Sequence, residues 1–232
     1  VRVFLHGFLG SPEVWNPFVS EGDFAPALVG HEGRAFDENV TSFEDEVARL
    51  SAEISAKKSP VHLIGYSLGA RLALGIAATI KVAKLTLISG RDGLEDERER
   101  AQRQRDDEAW AERFESCGDA EDFARVLALW DAQPVFNSRV HADPRRLEHD
   151  PRSIAKAMRA LSLSRMPRYA ARIHCDHIEI LCGYDDAKFR ALGEELATKL
   201  NARLEVISGA GHDLPREAPE ALKRLILQGV PQ

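Results

Sequence analysis

Apolar residues in the first ninety positions fall in short runs, separated by longer stretches in which they recur at helical spacing. The runs at Arg2 to Leu5, Val61 to Ile64 and Leu85 to Ser89 have the length and branched content of buried strands. Between them, Phe43 to Ala56 and Ala70 to Ala78 place apolar side chains three and four apart, the spacing of a helix with one buried face. The rhythm returns late in the chain, with a strand at His177 to Cys182, a helix at Ala187 to Leu200, a strand at Leu204 to Ile207 and a helix at Pro219 to Leu227. Strands alternating with helices predict a mostly parallel sheet flanked by helices. The stretch from about Arg91 to Tyr169 departs from this rhythm, being helical, dense in charge and without a strand pattern. It is expected to form a helical lid, about 91–169, inserted into a single domain spanning 1–232.

Candidate chemistry sits at the junctions. Gly65-Tyr66-Ser67-Leu68-Gly69 lies between a strand and a helix, so Ser67 stands on a sharp turn where the flanking glycines let two backbones approach closely. This is the nucleophile-elbow pattern of the α/β-hydrolase fold. His6-Gly7-Phe8 follows the first strand and can present the Phe8 N–H as half of an oxyanion hole, with the Leu68 N–H as the other half. The strand at His177 to Cys182 ends in Gly183-Tyr184-Asp185-Asp186, and the last strand ends in Ser208-Gly209-Ala210-Gly211-His212. Serine, aspartate and histidine therefore occur in the order that this fold uses. His212 would accept the Ser67 proton, and a buried carboxylate would fix the imidazole tautomer. Both Asp185 and Asp186 follow the strand, and either could instead cap the next helix. His6 belongs to the oxyanion loop. His31, His62, His141, His149, His174 and His177 read as surface or strand-end residues.

Composition narrows the function classes. The 232 residues, 44% of them hydrophobic, suffice for one large core. A net charge of −6 argues against a nucleic-acid partner. No apolar run approaches the length that spans a bilayer and no leader pattern precedes the first strand, so no membrane partner and a cytoplasmic location are expected. Cys117, Cys175 and Cys182 lack metal-ligand spacing and suit reduced thiols. Without a phosphate-cradling glycine loop, dinucleotide fingerprint or metal cluster, no cofactor is expected. The first strand starts almost at the first residue, where this fold usually has antiparallel strands beforehand. Either the sheet is a trimmed one or those strands lie outside this sequence.

Several segments together resemble the 2-succinyl-6-hydroxy-2,4-cyclohexadiene-1-carboxylate synthase family, the lyases of menaquinone biosynthesis with an α/β-hydrolase fold. They are Leu5-His6-Gly7-Phe8-Leu9-Gly10-Ser11 with Trp15, the elbow continued to Arg71, Arg103-Gln104-Arg105 with Trp110, Trp130 to Phe136, Leu181 to Phe189, and Gly209 to His212. The likeness covers nearly the full chain, including the expected lid. It implies elimination of pyruvate from 2-succinyl-5-enolpyruvyl-6-hydroxy-3-cyclohexene-1-carboxylate, with Ser67 abstracting a ring proton. It also selects Asp186, two residues before Lys188-Phe189, as the acid of the triad.

A small polycarboxylate substrate calls for guanidinium forks, which bind carboxylate bidentately. Arg71 is one helical turn after Ser67; by spacing alone it could equally be a helix-surface arginine, and the resemblance assigns it to substrate. By the same resemblance Arg103 and Arg159 contact substrate, with Arg105 on the outer face. Tyr66 and Trp130 either line the pocket or pack in the core and lid. Two departures from the pattern stand out: Leu28-Val29-Gly30-His31-Glu32-Gly33 lacks the usual proline, and Ala70 replaces a common glycine. The same triad would also serve a serine carboxylesterase or C–C bond hydrolase, which would turn over simple esters. A non-catalytic ligand-binding protein could keep the same pocket, and its ligand affinity and biological effect would survive loss of Ser67.

Overall fold

The computed structural model describes residues 1–31, 36–57, 60–136 and 143–227. Glu32, Gly33 and His141 lie outside the described residues. Five parallel strands, β1 (Arg2–Leu5), β2 (His62–Tyr66), β3 (Lys84–Ile88), β4 (Ile178–Gly183) and β5 (Arg203–Ile207), pair in chain order. Beyond β1, Phe24 extends the pairing, its carbonyl accepting from Phe4 N–H at 2.8 Å and its N–H donating to Arg2 O at 2.9 Å.

Strand alternation sorts the core into two layers. Val3, Leu5, Leu63, Leu85, Leu87, Ile180 and Cys182 pack with α1 (Phe43–Ser55), α2 (Leu68–Ala77) and α6 (Ala187–Leu200). Phe4, Ile64, Ile88 and Leu181 face the opposite way, against Trp15, Phe18 and the C-terminal helix α8 (Pro219–Leu227). Between β3 and β4 the chain forms α3 (Glu97–Glu115), α4 (Ala120–Asp131) and α5 (Pro151–Ala160), with no strand among the described residues there. Their apolar faces form a separate cluster of Phe114, Phe123, Leu127, Ile154 and Met158, which Leu9 joins from the loop after β1. The two ends of this insertion are tied together, because the buried Asp92 carboxylate accepts the N–H of Tyr169 at 2.8 Å and of Ala170 at 3.4 Å.

Helix starts follow local chemistry. Ser42 and Asp45 form a reciprocal capping box at α1, while Asp96, Asp119, Asp150 and Asp186 cap α3, α4, α5 and α6. The elbow is tighter than apolar spacing implied: β2 runs on to Tyr66 and α2 starts at Leu68, so Ser67 alone makes the turn. Its glycines are needed for close packing, since a Cβ on Gly65 would lie 2.3 Å from Gly69 O, and one on Gly69 would lie 2.2 Å from Leu5 O. The Ala70 departure has a matching accommodation, because a Cβ on Gly90 would meet the Ala70 methyl at 2.7 Å. A short helix α7 (Leu214–Glu217) follows β5 and was not legible as periodicity. Cys117, Cys175 and Cys182 are unpaired thiols, and among the described residues no helix is long and apolar enough to cross a membrane.

Candidate active site

Ser67 follows β2 with φ +54° and ψ −108°, a backbone state that costs a non-glycine residue about 1–3 kcal/mol. The elbow holds it through Ser67 N–H to Ile88 O at 2.9 Å and Arg71 N–H to Ser67 O at 3.2 Å. His212, after β5, has its Nε2 3.1 Å from Ser67 Oγ. Its Nδ1 lies 2.7 Å from Asp186 Oδ2, and both side chains are buried. Asp186 serves twice, because its Oδ1 accepts the Phe189 N–H at 3.0 Å as the cap of α6. Asp185 is exposed and makes no such contact with His212. The loop bearing His212 is fixed from below: Glu217 of α7 accepts from Gly211 N–H and from Asp213 N–H, and Ser89 Oγ–H donates to His212 O at 3.2 Å. The arrangement can pass a proton from Ser67 to His212 and stabilise the imidazolium against Asp186.

The Leu68 N–H lies in the first turn of α2, where helix geometry leaves N–H groups without intrahelical acceptors. Phe8 lies in a turn closed by Gly10 N–H to Gly7 O at 3.0 Å, and its side chain borders the same cavity as Ser67. That cavity, about 160 Å³, is walled by the sheet rim, the insertion and the start of α6.

Among the described residues, four cations, Arg71, Arg91, Arg103 and Lys188, line it with one carboxylate, Asp107. Arg103 Nε lies 2.8 Å from each Asp107 oxygen, and Asp107 Oδ2 also accepts from Ser162 Oγ–H at 2.6 Å. Arg71 has no ion pair among the described residues; its Nη1 donates to Leu161 O at 3.2 Å. Burial, reinforced by Arg103 and Arg91 and opposed by Asp107, lowers its pKa to about 9, so it remains protonated at neutral pH. Burial and the charges of Arg103 and Arg91 also lower the pKa of Lys188. In a chain of net charge −6, this is a concentrated positive surface.

Not every residue expected at the site reaches it. Trp130 lines the cavity and packs on Phe8 and Trp110, at centroid distances of 5.3 and 4.9 Å. Tyr66 is instead a core residue, 5% exposed, lying against His212 and bordering a second space of about 50 Å³ that also reaches Ser67. Arg159 does not line the cavity. It projects toward α3, where Glu108 and Glu115 hold its guanidinium at 2.7 and 2.8 Å and raise its pKa. Arg105 is on the exposed face, bonded to Gln102. Arg91 and Lys188 were overlooked as cavity cations, although both follow the C-terminal end of a parallel strand, where such sites collect. His31 and His149 are buried, correcting their reading as surface or strand-end residues. Among the described residues no group of histidine, cysteine, aspartate or glutamate has a geometry for holding a metal.

A parallel sheet with a strained serine at a strand-to-helix elbow is the architecture of α/β-hydrolase-fold enzymes. The chain belongs to the alpha/beta hydrolase family, which its residues 3–225 match. It is 36% identical over 233 residues to the 2-succinyl-6-hydroxy-2,4-cyclohexadiene-1-carboxylate synthase of Escherichia coli strain UMN026, covering 94% of this chain and 88% of that one. A synthase of the same name from Klebsiella pneumoniae is 34% identical over 243 residues, covering 97% and 92%. The solved structure of MenH from S. aureus matches with a TM-score of 0.88 at 26% identity, over 97% of this chain and 91% of that one.

Proposed function

We propose that this enzyme eliminates pyruvate from 2-succinyl-5-enolpyruvyl-6-hydroxy-3-cyclohexene-1-carboxylate, yielding 2-succinyl-6-hydroxy-2,4-cyclohexadiene-1-carboxylate in menaquinone biosynthesis, and that it works in the cytoplasm. The observation that carries the reading is Arg71: a buried guanidinium in the cavity wall, one helical turn from Ser67, which makes no ion pair among the described residues, the nearby Asp107 carboxylate being held by Arg103. A buried cation without a counter-ion is costly unless a ligand supplies one. With Arg91, Arg103 and Lys188 beside it, the cavity suits a compact polycarboxylate better than an apolar ester.

In this reading His212 takes the Ser67 proton as Ser67 Oγ removes the proton from the ring carbon bearing the succinyl group. That proton is acidic because the carbon lies between the ketone and the ring double bond. The released electron pair forms a new ring double bond, the existing one shifts by one position, and the carbon–oxygen bond to the enolpyruvyl group breaks. Pyruvate departs as its enolate and regains a proton. Negative charge on the succinyl ketone oxygen in the transition state would be met by the N–H groups of Phe8 and Leu68. No acyl-enzyme forms.

The test compares pyruvate release from freshly generated substrate by the enzyme, by Ser67→Ala and without enzyme, since the substrate also decays spontaneously. Serine-dependent release well above background is expected. Release at the background rate from folded protein, with turnover of simple aryl esters, would replace the proposal with a serine esterase or C–C hydrolase.

A further inference from the structure

Three histidines outside the proton relay, His6, His31 and His149, meet in the interior beside the turn at residues 7–10. All are buried, with ring centroids 5.2 Å apart for His6 and His31 and 5.6 Å apart for His31 and His149. They come from the end of β1, the loop ahead of α1 and the segment ahead of α5, yet each contacts the backbone of that same turn. His31 Nε2 accepts the Leu9 N–H at 3.1 Å, while its Nδ1 is 2.9 Å from Val29 O. His6 Nε2 accepts the Leu28 N–H at 3.1 Å, while its Nδ1 is 2.8 Å from Gly7 O. His149 Nε2 lies 3.4 Å from Leu9 O.

An imidazole that accepts at Nε2 and donates at Nδ1 is uncharged and fixed in one tautomer. Leu9, the residue so held, has φ +57°, a conformation that leucine keeps only where its surroundings impose it. The Gly10 N–H to Gly7 O bond closes the turn around Phe8 and Leu9.

We propose that His6 and His31 are positioning residues: as neutral Nδ1–H imidazoles they hold the strained turn at Leu9 and so fix the Phe8 N–H beside Ser67. This rests on the oxyanion role given to Phe8 above. His149 extends the arrangement into the insertion, and Gly30 does the same, since a Cβ there would lie 2.6 Å from Ser153 O in α5. The seating of the insertion and the shape of the turn thus share contacts. His6 is faced by His149, Glu13 and Arg216, His31 by His6 and His149, and His149 by Asp143, Arg146 and Glu148. Burial is the largest cause at each and lowers all three pKa values, that of His6 to about 4, with neighbouring histidines acting in the same direction on His6 and His31.

The experiment measures phosphonylation of Ser67 by a fluorophosphonate in the full chain, His31→Phe and His31→Gln. The probe needs the serine and its N–H donors but not the natural substrate, so failure of the elimination reading leaves this test standing. His31→Phe should react about tenfold more slowly, and His31→Gln, whose Oε1 can accept from Leu9 N–H, should recover most of the rate. With the elimination substrate, His31→Phe should lower kcat while KM stays unchanged. A folded His31→Phe that reacts at the normal rate, or a His31→Gln that does no better than Phe, would overturn the proposal. Should His31→Phe fail to fold, nitrogen NMR of the unmodified protein decides. Neutral Nδ1–H signals from His6 and His31 down to about pH 5 support the proposal; an Nε2–H tautomer, or protonation above that pH, defeats it.

Discussion

The rim of the sheet and the inserted helices contribute to the same cavity by different rules. At the rim, Ser67, Asp186 and His212 each follow a strand end and meet at 2.7 and 3.1 Å, although they lie far apart in the chain. Parallel strands deliver their C-terminal ends to one edge, so topology does most of the positioning. In the insertion, the fate of a residue depends on helix rotation. Arg103 lines the cavity, Arg105 is exposed beside Gln102, and Arg159 is captured by Glu108 and Glu115. A helix turns about 100° per residue, so near neighbours with the same side chain end in opposite surroundings. Arginine identity is weak evidence of substrate contact here; the lack of an ion pair at the buried Arg71 among the described residues is much stronger.

That contrast can be broken most sharply at the rim. Ser67→Ala and His212→Ala should each lower kcat about a thousandfold or more, with melting temperature retained. Asp186→Asn should cost about ten-thousandfold, whereas Asp185→Asn should change kcat less than about twofold, because the exposed side chain is uninvolved. Steady-state pyruvate release checks all four, and a severe Asp185→Asn phenotype would reassign the acid. On the cavity wall, Arg71→Met should weaken kcat/KM about 10–100-fold, equivalent to the roughly 1.5–3 kcal/mol of a charge-assisted hydrogen bond. An unchanged value would remove the observation on which the proposed substrate class rests.

A pH titration sharpens the comparison through stability. Burial depresses the folded-state pKa of His6 to about 4, and burial with nearby Lys84 depresses that of His62 to about 3. The unfolded chain binds these protons from about pH 6.5 downward. Their neutral forms therefore support stability fully above that pH and progressively less as pH falls toward the folded values. The loss should reach about 1.4 kcal/mol per pH unit for each of the two histidines. Denaturant midpoints measured between about pH 7 and 4.5 should fall steeply, and a flat profile would show that these imidazoles are not held neutral. The smallest effect belongs to Arg159→Ala, predicted to leave kcat/KM within about twofold and stability within about 1 kcal/mol, as for other solvent-accessible ion pairs. A large rise in KM would return Arg159 to the substrate site.

Much of the frame was legible in the chain because strand and helix periodicities are local. Arg2–Leu5, Ala187–Leu200 and Pro219–Leu227 coincide with elements read from apolar spacing, and the glycines around Ser67 marked the elbow because no other side chain fits its strand-to-helix contact. The adjacency of Asp185 and Asp186 was different: spacing left both open, resemblance chose one, and their separation in space comes from the N-cap geometry of α6, which buries Asp186 and exposes Asp185. His31 was misread because a lone histidine in a polar loop gives no local sign that two other segments will close over it.

By itself the sequence determined the alternation of the five strands with the helices α1, α2, α6 and α8, the serine elbow and the chain order of the candidate reactive residues, since these follow from backbone preferences and spacing over a few positions. Only the tertiary structure decided that Arg71 faces the cavity with no ion pair among the described residues while Arg159 is neutralised on α3, and that three histidines are buried around one strained turn. Those outcomes depend on helix rotation and on contacts between segments distant in the chain, for which local pattern carries no signal.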